Sequence, residues 1–294
     1  MIRKAVVPIA GLGTRLFPAS HACKKEFFPV VGPDGIARAL LHYQMIDLVE
    51  AGIEEICVIV RPGEEKLVID YFQGPRDAYT ERLEKYSDLA EEAASMQAVL
   101  QRITFAEQER QQGFGHAVYQ SRAFADGEPV LLCLGDHLFR GRGMSCHTQL
   151  LEAFGKCTGK SVSAVNRIGP DELKGYGTIA GKRRVEDPSI IDVSCIVEKP
   201  SLDEARKTLR VDDLNDGEFL GWFGMHALAP SIFDVLESMI AGDLRQGGEF
   251  QLTYAQELQR QLEGYCALEI MDGRRYDFGT PQDFVKSLVA FSVA

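Results

Sequence analysis

Apolar residues in this chain gather into short unbroken runs. Residues 4–10, 55–60, 103–106, 129–134 and 161–166 each read that way. Runs of this length are too short for globular helices and do not alternate, which predicts strands buried on both faces. Between them the spacing changes. Residues 36–51 carry apolar side chains at helical intervals and stop at Gly52, predicting a helix closed by glycine. Residues 117–124 and 148–154 read as two further crossover helices. A strand, a helix and a strand in succession over residues 4–60 require a right-handed crossover and parallel pairing. The expected fold class is α/β: a Rossmann-like, open, mostly parallel central sheet flanked by helices.

Two stretches break the alternation. Residues 76–101 are polar and helix-prone, predicting a helical insert on the surface. From about Gly175 the pattern becomes strand candidates separated by loops. A glycine- and aromatic-rich run at 221–227 follows, then a helix at 230–241 and helices from Gln251 and from Pro281. This predicts a smaller β-rich portion over 175–294. No internal repeat, low-complexity tract or linker intervenes, so one domain over 1–294 is expected.

Charge narrows the partners. The formal net charge is −11 and the pI about 5.1, so a bound polyanion must be held by a local cluster of cations against the overall field. Nucleic acid and anionic membrane are therefore excluded as expected partners. The cysteines at 23, 57, 133, 146, 157, 195 and 266 form no C-x-x-C pair and no zinc-like spacing. Reduced thiols are expected. The N-terminus leads straight into the first strand with no signal-peptide core, and a cytoplasmic location is expected.

The first strand breaks into Gly11-Leu12-Gly13-Thr14-Arg15. G-x-G alone is a weak signal, and a dinucleotide fingerprint would need a third glycine and an acid near the end of strand two. Neither is present. The loop carries Arg15 instead, and Lys25-Glu26 ten residues on. Two fixed cations after a glycine turn, whose amides already favour anions, suit a nucleoside triphosphate better than a dinucleotide. Asp136 follows the run at 129–134 and so should project at the sheet's carboxyl edge, where ligands of open α/β sheets collect.

Gly11-Leu12-Gly13-Thr14-Arg15-x-x-Pro18 with Lys25-Glu26-x-x-Pro29 resembles the signature of bacterial sugar-phosphate nucleotidylyltransferases, particularly the UTP-glucose-1-phosphate uridylyltransferases. Further matches follow in order: Gln108-x4-Gly113-Phe114-Gly115-His116-Ala117, Gly135-Asp136, Tyr176-Gly177, Val197-Glu198-Lys199-Pro200, Gly248-Glu249-Phe250-Gln251-Leu252-Thr253 and Tyr276-Asp277-x-Gly279. The chain departs from the family pattern at Lys24, where proline is usual, at His21, where lysine is usual, and at Gly32-Pro33-Asp34-Gly35-Ile36.

The resemblance implies transfer of a uridylyl group from UTP to glucose-1-phosphate, with Mg2+ and a homodimer or homotetramer. A phosphate monoester is already ionised near neutrality, so no general base or covalent intermediate is needed. Cations and a metal must instead bring two anions together. By resemblance Arg15 and Lys25 bracket the triphosphate, and Lys199 holds the sugar phosphate. Asp136 and Asp277 are the metal carboxylates. Gly177, Glu198 and Lys199 face the sugar in the 175–294 portion. Ala10, Gly11, Gly13 and Gly115 offer backbone to the nucleotide, and Gln108 offers a donor and an acceptor to a pyrimidine edge. His116 is expected to pack or cap, and Trp222 to serve as core or sugar-pocket wall. A dTTP-using relative, another sugar phosphate, or a non-catalytic regulatory paralogue remain alternatives. A paralogue should have lost Arg15, Lys25, Asp136 or Asp277, and all four are present.

Overall fold

The computed structural model describes residues 2–74 and 87–294. Its strands, in chain order, are β1 (Lys4–Pro8), β2 (Pro29–Val31), β3 (Ala37–Ala39), β4 (Glu55–Val60), β5 (Ile103–Glu107), β6 (Val130–Cys133), β7 (His137–Gly141), β8 (Val162–Ile168), β9 (Gly177–Arg183), β10 (Ile190–Glu198), β11 (Phe219–Leu228), β12 (Cys266–Glu269) and β13 (Gly273–Asp277). Nine of them form one sheet in the order β5-β4-β1-β6-β11-β8-β12-β10-β9. The half β5-β4-β1-β6 is wholly parallel. Beyond it β11 runs antiparallel to both β6 and β8, and the far half is mixed.

The unbroken apolar runs follow from burial on both faces. In β1, Ala5 and Val7 enter one core while Val6 enters the other; β4 and β6 divide their side chains in the same way. Helices Leu40–Glu50, Glu65–Phe72 and Cys146–Lys156 contribute to the first core through Leu41, Met45, Phe72 and Leu150. Helices Phe114–Tyr119, Ser231–Ala241 and Leu252–Glu263 cover the opposite face with Val118, Leu236 and Ala255. Each of the larger of these side chains contributes roughly 1.5–3 kcal/mol on leaving water.

Three helix boundaries differ from the sequence expectation. The helix expected over 36–51 starts only at Leu40, because Ala37–Ala39 pairs with Pro29–Val31 as a hairpin turning at Gly35, φ 76°. The helix expected over 117–124 is two pieces, Phe114–Tyr119 and Arg122–Ala125. At the break the Ser121 hydroxyl donates to the Val118 carbonyl at 2.7 Å, a local bond that competes with the helical ladder. Of the insert expected over 76–101, residues 76–86 lie outside the described residues. The remainder contains the helix Ser87–Leu100, whose last turns are not a free surface: Val99 is buried, and Met96 and Leu100 pack on the core.

The departures from the family pattern sit in the scaffold. Lys24 pairs with Glu64, which Arg61 also holds. Asp34 and Tyr43 bind Arg38 at 2.7 and 2.9 Å, and Tyr43 donates to the Ile36 carbonyl at 2.6 Å, so the Gly32 to Gly35 turn is tied to its own hairpin. His21 is exposed on the short helix Ala19–Ala22.

One buried histidine makes the core pH-sensitive. His147 is 1% exposed, lies edge-on to Phe139 at 5.5 Å, and its Nε2 has no hydrogen-bond partner among the described residues. Burial, with Arg140 second, pushes its pKa down to about 4, against ~6.5 in an unfolded chain. The unfolded state therefore takes up a proton that the folded state refuses. The residue's contribution is complete above pH ~6.5 and is lost as pH falls toward 4. His147→Leu should thus gain on the wild type by about 1–2 kcal/mol between pH 7.5 and pH 5 in urea unfolding. A pH-independent difference between the two proteins would show that the imidazole is not desolvated.

Candidate active site

β1 ends at the sheet's carboxyl edge, and the chain turns there through Gly13, φ 65°, into the single turn Thr14–Leu16, pinned by buried Leu16. This left-handed position favours glycine. Arg15 is left exposed on that turn and makes no hydrogen bond or ion pair among the described residues. A second single turn, Lys25–Phe27, presents Lys25. Asp136 follows β6 directly. These residues line one cleft of about 760 Å³ with Ala10, Gly11, Gln108, Glu198, Lys199 and Asp277.

The centre of the cleft is a relay of charge. Lys25 Nζ donates to Asp136 Oδ2 at 2.6 Å. Asp136 Oδ1 lies 3.2 Å from His137 Nδ1, and His137 Nε2 lies 3.3 Å from Asp277 Oδ2. The antiparallel pairing of β7 with β13 makes the last contact, because its register sets Asp277 opposite His137. Burial pushes the Asp136 carboxyl up, but Lys25 and then His137 outweigh it and hold the carboxyl well below its ordinary value. Burial likewise opposes the Lys25 ammonium, and Asp136 followed by Glu26 turns its net shift upward. His137 is shifted upward against burial by Asp136 and Asp277. Asp277 is lowered, His137 outweighing burial. Glu26 goes the other way: burial dominates Lys25 and Lys24 and raises it to about 7.

Asp136 and Asp277 meet the requirements of a hard cation. A Cβ placed on Gly279 would stand 2.9 Å from Asp136 Oδ2, 3.0 Å from Asp277 Oδ1 and 3.0 Å from an Arg15 guanidinium nitrogen. The glycine keeps open a small space bounded by two carboxylates and a cation. Among the described residues no group of three His, Cys, Asp or Glu forms an all-protein cage. Two carboxylate oxygens suit Mg2+, which retains water and completes its shell with phosphate oxygens.

The opposite wall comes from the mixed half of the sheet. Glu198 ends β10 beside Gly177 on β9. Thr253 Oγ1 donates to Glu198 Oε2 at 2.7 Å, and Lys199 Nζ lies 3.4 Å from Glu198 Oε1. Lys199 has φ 48°, a conformation costing a non-glycine residue about 1–2 kcal/mol. Such strain concentrates at functional positions. Gly177 lies in a smaller chamber adjoining the cleft.

Not every expected residue reaches the cleft as expected. Gly115 does not offer its backbone: its N–H donates to the Phe250 carbonyl at 2.8 Å, and the space of a Cβ is taken by that carbonyl and by Leu236. It is glycine so that the 248–253 segment can pack. Gly13 shapes the loop but does not line the cleft. Gln108 lines it, yet its amide nitrogen is engaged with the Gly113 carbonyl and His116 Nδ1, both at 3.1 Å. His116 stacks on Phe250 and contacts Gln108 and Gln120, a packing role. Glu26, Tyr176 and Thr253, though members of the motifs above, and His137, outside them, were not singled out for a role. Glu26 and His137 each adjoin a residue that was, and Thr253 closes the G-E-x-Q-L-T run.

A cleft at the carboxyl edge of an open sheet that gathers two neighbouring carboxylates with Arg15, Lys25 and Lys199 suits chemistry on phosphate esters. The chain belongs to the nucleotidyl transferase family, whose sequence model matches residues 4–291. It is 30% identical to UTP-glucose-1-phosphate uridylyltransferase 1 of Staphylococcus saprophyticus, over 99% of this chain and 93% of that one. It is also 30% identical to the UTP-glucose-1-phosphate uridylyltransferase of Mycoplasma pneumoniae, over 97% and 91%. The solved structure of a UDP-glucose pyrophosphorylase complexed with UDP-glucose matches with a TM-score of 0.77 at 25% identity, over 99% of this chain and 98% of that one.

The space at Gly279 can be tested by filling it. Gly279→Ala should leave the thermal midpoint within about 3 °C of the wild type while lowering nucleotidyl transfer at least tenfold, since a methyl there displaces Asp136, Asp277 or Arg15. Wild-type turnover by this variant would show that the three groups do not act around one point.

Proposed function

We propose that this nucleotidyltransferase joins UTP and glucose-1-phosphate, releasing pyrophosphate and forming UDP-glucose. The observation that carries the reading is the convergence of Arg15, Lys25, Asp136, Asp277, Glu198 and Lys199 on one cleft. The reaction is attack by a sugar-phosphate oxygen on the α-phosphorus of the nucleotide. Both reactants are anions in a protein of net charge −11, so the barrier is largely electrostatic and positional.

Arg15 and Lys25 hold the triphosphate from the β1 side, and Lys199 holds the monoester from the β10 side. Glu198, fixed by Thr253, accepts from sugar hydroxyls. Asp136 and Asp277 would hold Mg2+, which would supply neutralisation of phosphate charge when bound. Lys25 keeps Asp136 ionised, and His137 orders both carboxylates. The bound nucleotide sits over Ala10 and Gly11, with Gln108 fixing the loop beside it.

A pyrophosphate-release assay with four nucleotides and several sugar-1-phosphates tests this. UTP with glucose-1-phosphate should exceed dTTP, ATP and GTP in kcat/KM. dTTP should be the nearest competitor, because one methyl is worth only ~1–3 kcal/mol of discrimination. Asp136→Asn should lower kcat by about 100-fold or more with the fold intact. Preference for a purine nucleotide, or an undiminished Asp136→Asn, would refute the assignment.

A further inference from the structure

The chamber behind the cleft has a volume of about 130 Å³ and is lined by Glu198, Gly177, Trp222, Thr253, Gln256 and Arg275. Glu198, Tyr176 and Thr253 border the main cleft as well, so the two spaces are continuous. Apart from the His137 ring nitrogens, which face Asp136 and Asp277, two atoms of the chamber's lining residues are buried without a hydrogen-bond partner among the described residues, Trp222 Nε1 and Gln256 Oε1. Trp222 is 6% exposed and Gln256 is 0% exposed. An interior donor and an interior acceptor both left unpaired are uncommon, and each such group costs about 1–3 kcal/mol unless a ligand satisfies it.

Both atoms are held in place. The edge of the indole, Cδ1 and Nε1, lies 2.5 Å from where a Cβ on Gly177 would stand, and His226 packs edge-on to the ring at 5.5 Å. The Trp222 carbonyl accepts from an Arg275 guanidinium nitrogen at 2.8 Å. The Gln256 amide nitrogen is engaged by Tyr265 Oη at 2.9 Å and His226 Nδ1 at 3.0 Å, which fixes the side on which its oxygen points. Fixed donors and acceptors discriminate by what they leave unpaired when the ligand lacks its partner group.

Lys199 borders the cleft and not the chamber. A sugar whose anomeric phosphate lies at Lys199, with Glu198 beside its ring, therefore turns its far edge toward Trp222 and Gln256. Resting on the glucose-1-phosphate reading above, we propose that Trp222 Nε1 and Gln256 Oε1 bind hydroxyls on the edge of the hexose remote from its phosphate. They thereby select a fully hydroxylated hexose-1-phosphate over its deoxy counterparts.

The test uses glucose-1-phosphate and its 3-, 4- and 6-deoxy analogues with UTP, in the wild type and in Trp222→Phe, which keeps most of the ring packing. For at least one analogue the wild type should lose about 10- to 100-fold in kcat/KM. Trp222→Phe should lose a similar factor on glucose-1-phosphate and treat that analogue and glucose-1-phosphate within about threefold of each other. Trp222 is the sole tryptophan, so glucose-1-phosphate should also shift the protein's intrinsic fluorescence, and the discriminated analogue should shift it less. Retention of the full wild-type discrimination by Trp222→Phe overturns the proposal and leaves the functional reading standing. Absence of wild-type turnover with UTP and any of these sugars refutes the functional reading instead. The fluorescence titration then decides Trp222 by itself, and no response to any hexose phosphate overturns its role.

Discussion

The Lys25–Asp136 pair, at 2.6 Å, is the contact on which the site is built. A carboxylate as buried as Asp136 is stable as an anion only beside a compensating cation. Lys25 supplies that cation from a separate turn of the chain, so that turn and the end of β6 must come together. His137 extends the compensation to Asp277 at the end of β13. Three distant stretches of sequence are thereby tied to one point. The groups left over, Arg15 and Lys199, are cations without strong internal partners, which a protein binding two phosphate esters needs at its surface.

The two halves of the sheet divide the task. The parallel half brings the ends of β1 and β6 side by side, and short turns beside them carry Arg15 and Lys25. The mixed half brings β9 and β10 together, so that Gly177, Glu198 and Lys199 face the same opening. β11 joins the halves by pairing with both β6 and β8. Its bulge between Trp222 and His226 lies where the small chamber opens. The helix Leu252–Glu263 begins at the cleft and contributes Leu252 and Thr253, so its positive end lies at the cleft.

Residues at which the chain departs from its family's usual pattern belong to the frame around this site. Lys24 neighbours Lys25 in sequence, but its largely buried ammonium is engaged with Glu64, and this pair helps hold the Lys25 turn against the parallel half. The Gly32 to Gly35 turn is secured by Arg38, which also reaches Glu92 on the helix Ser87–Leu100. Charge at these positions is used to bind one part of the scaffold to another.

The sequence by itself determined the alternation of buried strands and helices in the first half of the chain, because burial on both faces requires unbroken apolar runs and those are visible locally. It also named, from the residues or by family resemblance, the charged groups that line the cleft: Arg15, Lys25, Asp136, Glu198, Lys199 and Asp277. Only the tertiary structure decided how they meet. The pairing of β7 with β13, the antiparallel entry of β11, and the packing of Gly115 on Phe250 depend on contacts between residues far apart in sequence, which local periodicity does not encode. For the same reason His137, Glu26 and Thr253 carry no individual signal: a titratable or hydroxyl side chain acquires its role from burial and from the charge of neighbours that folding alone supplies.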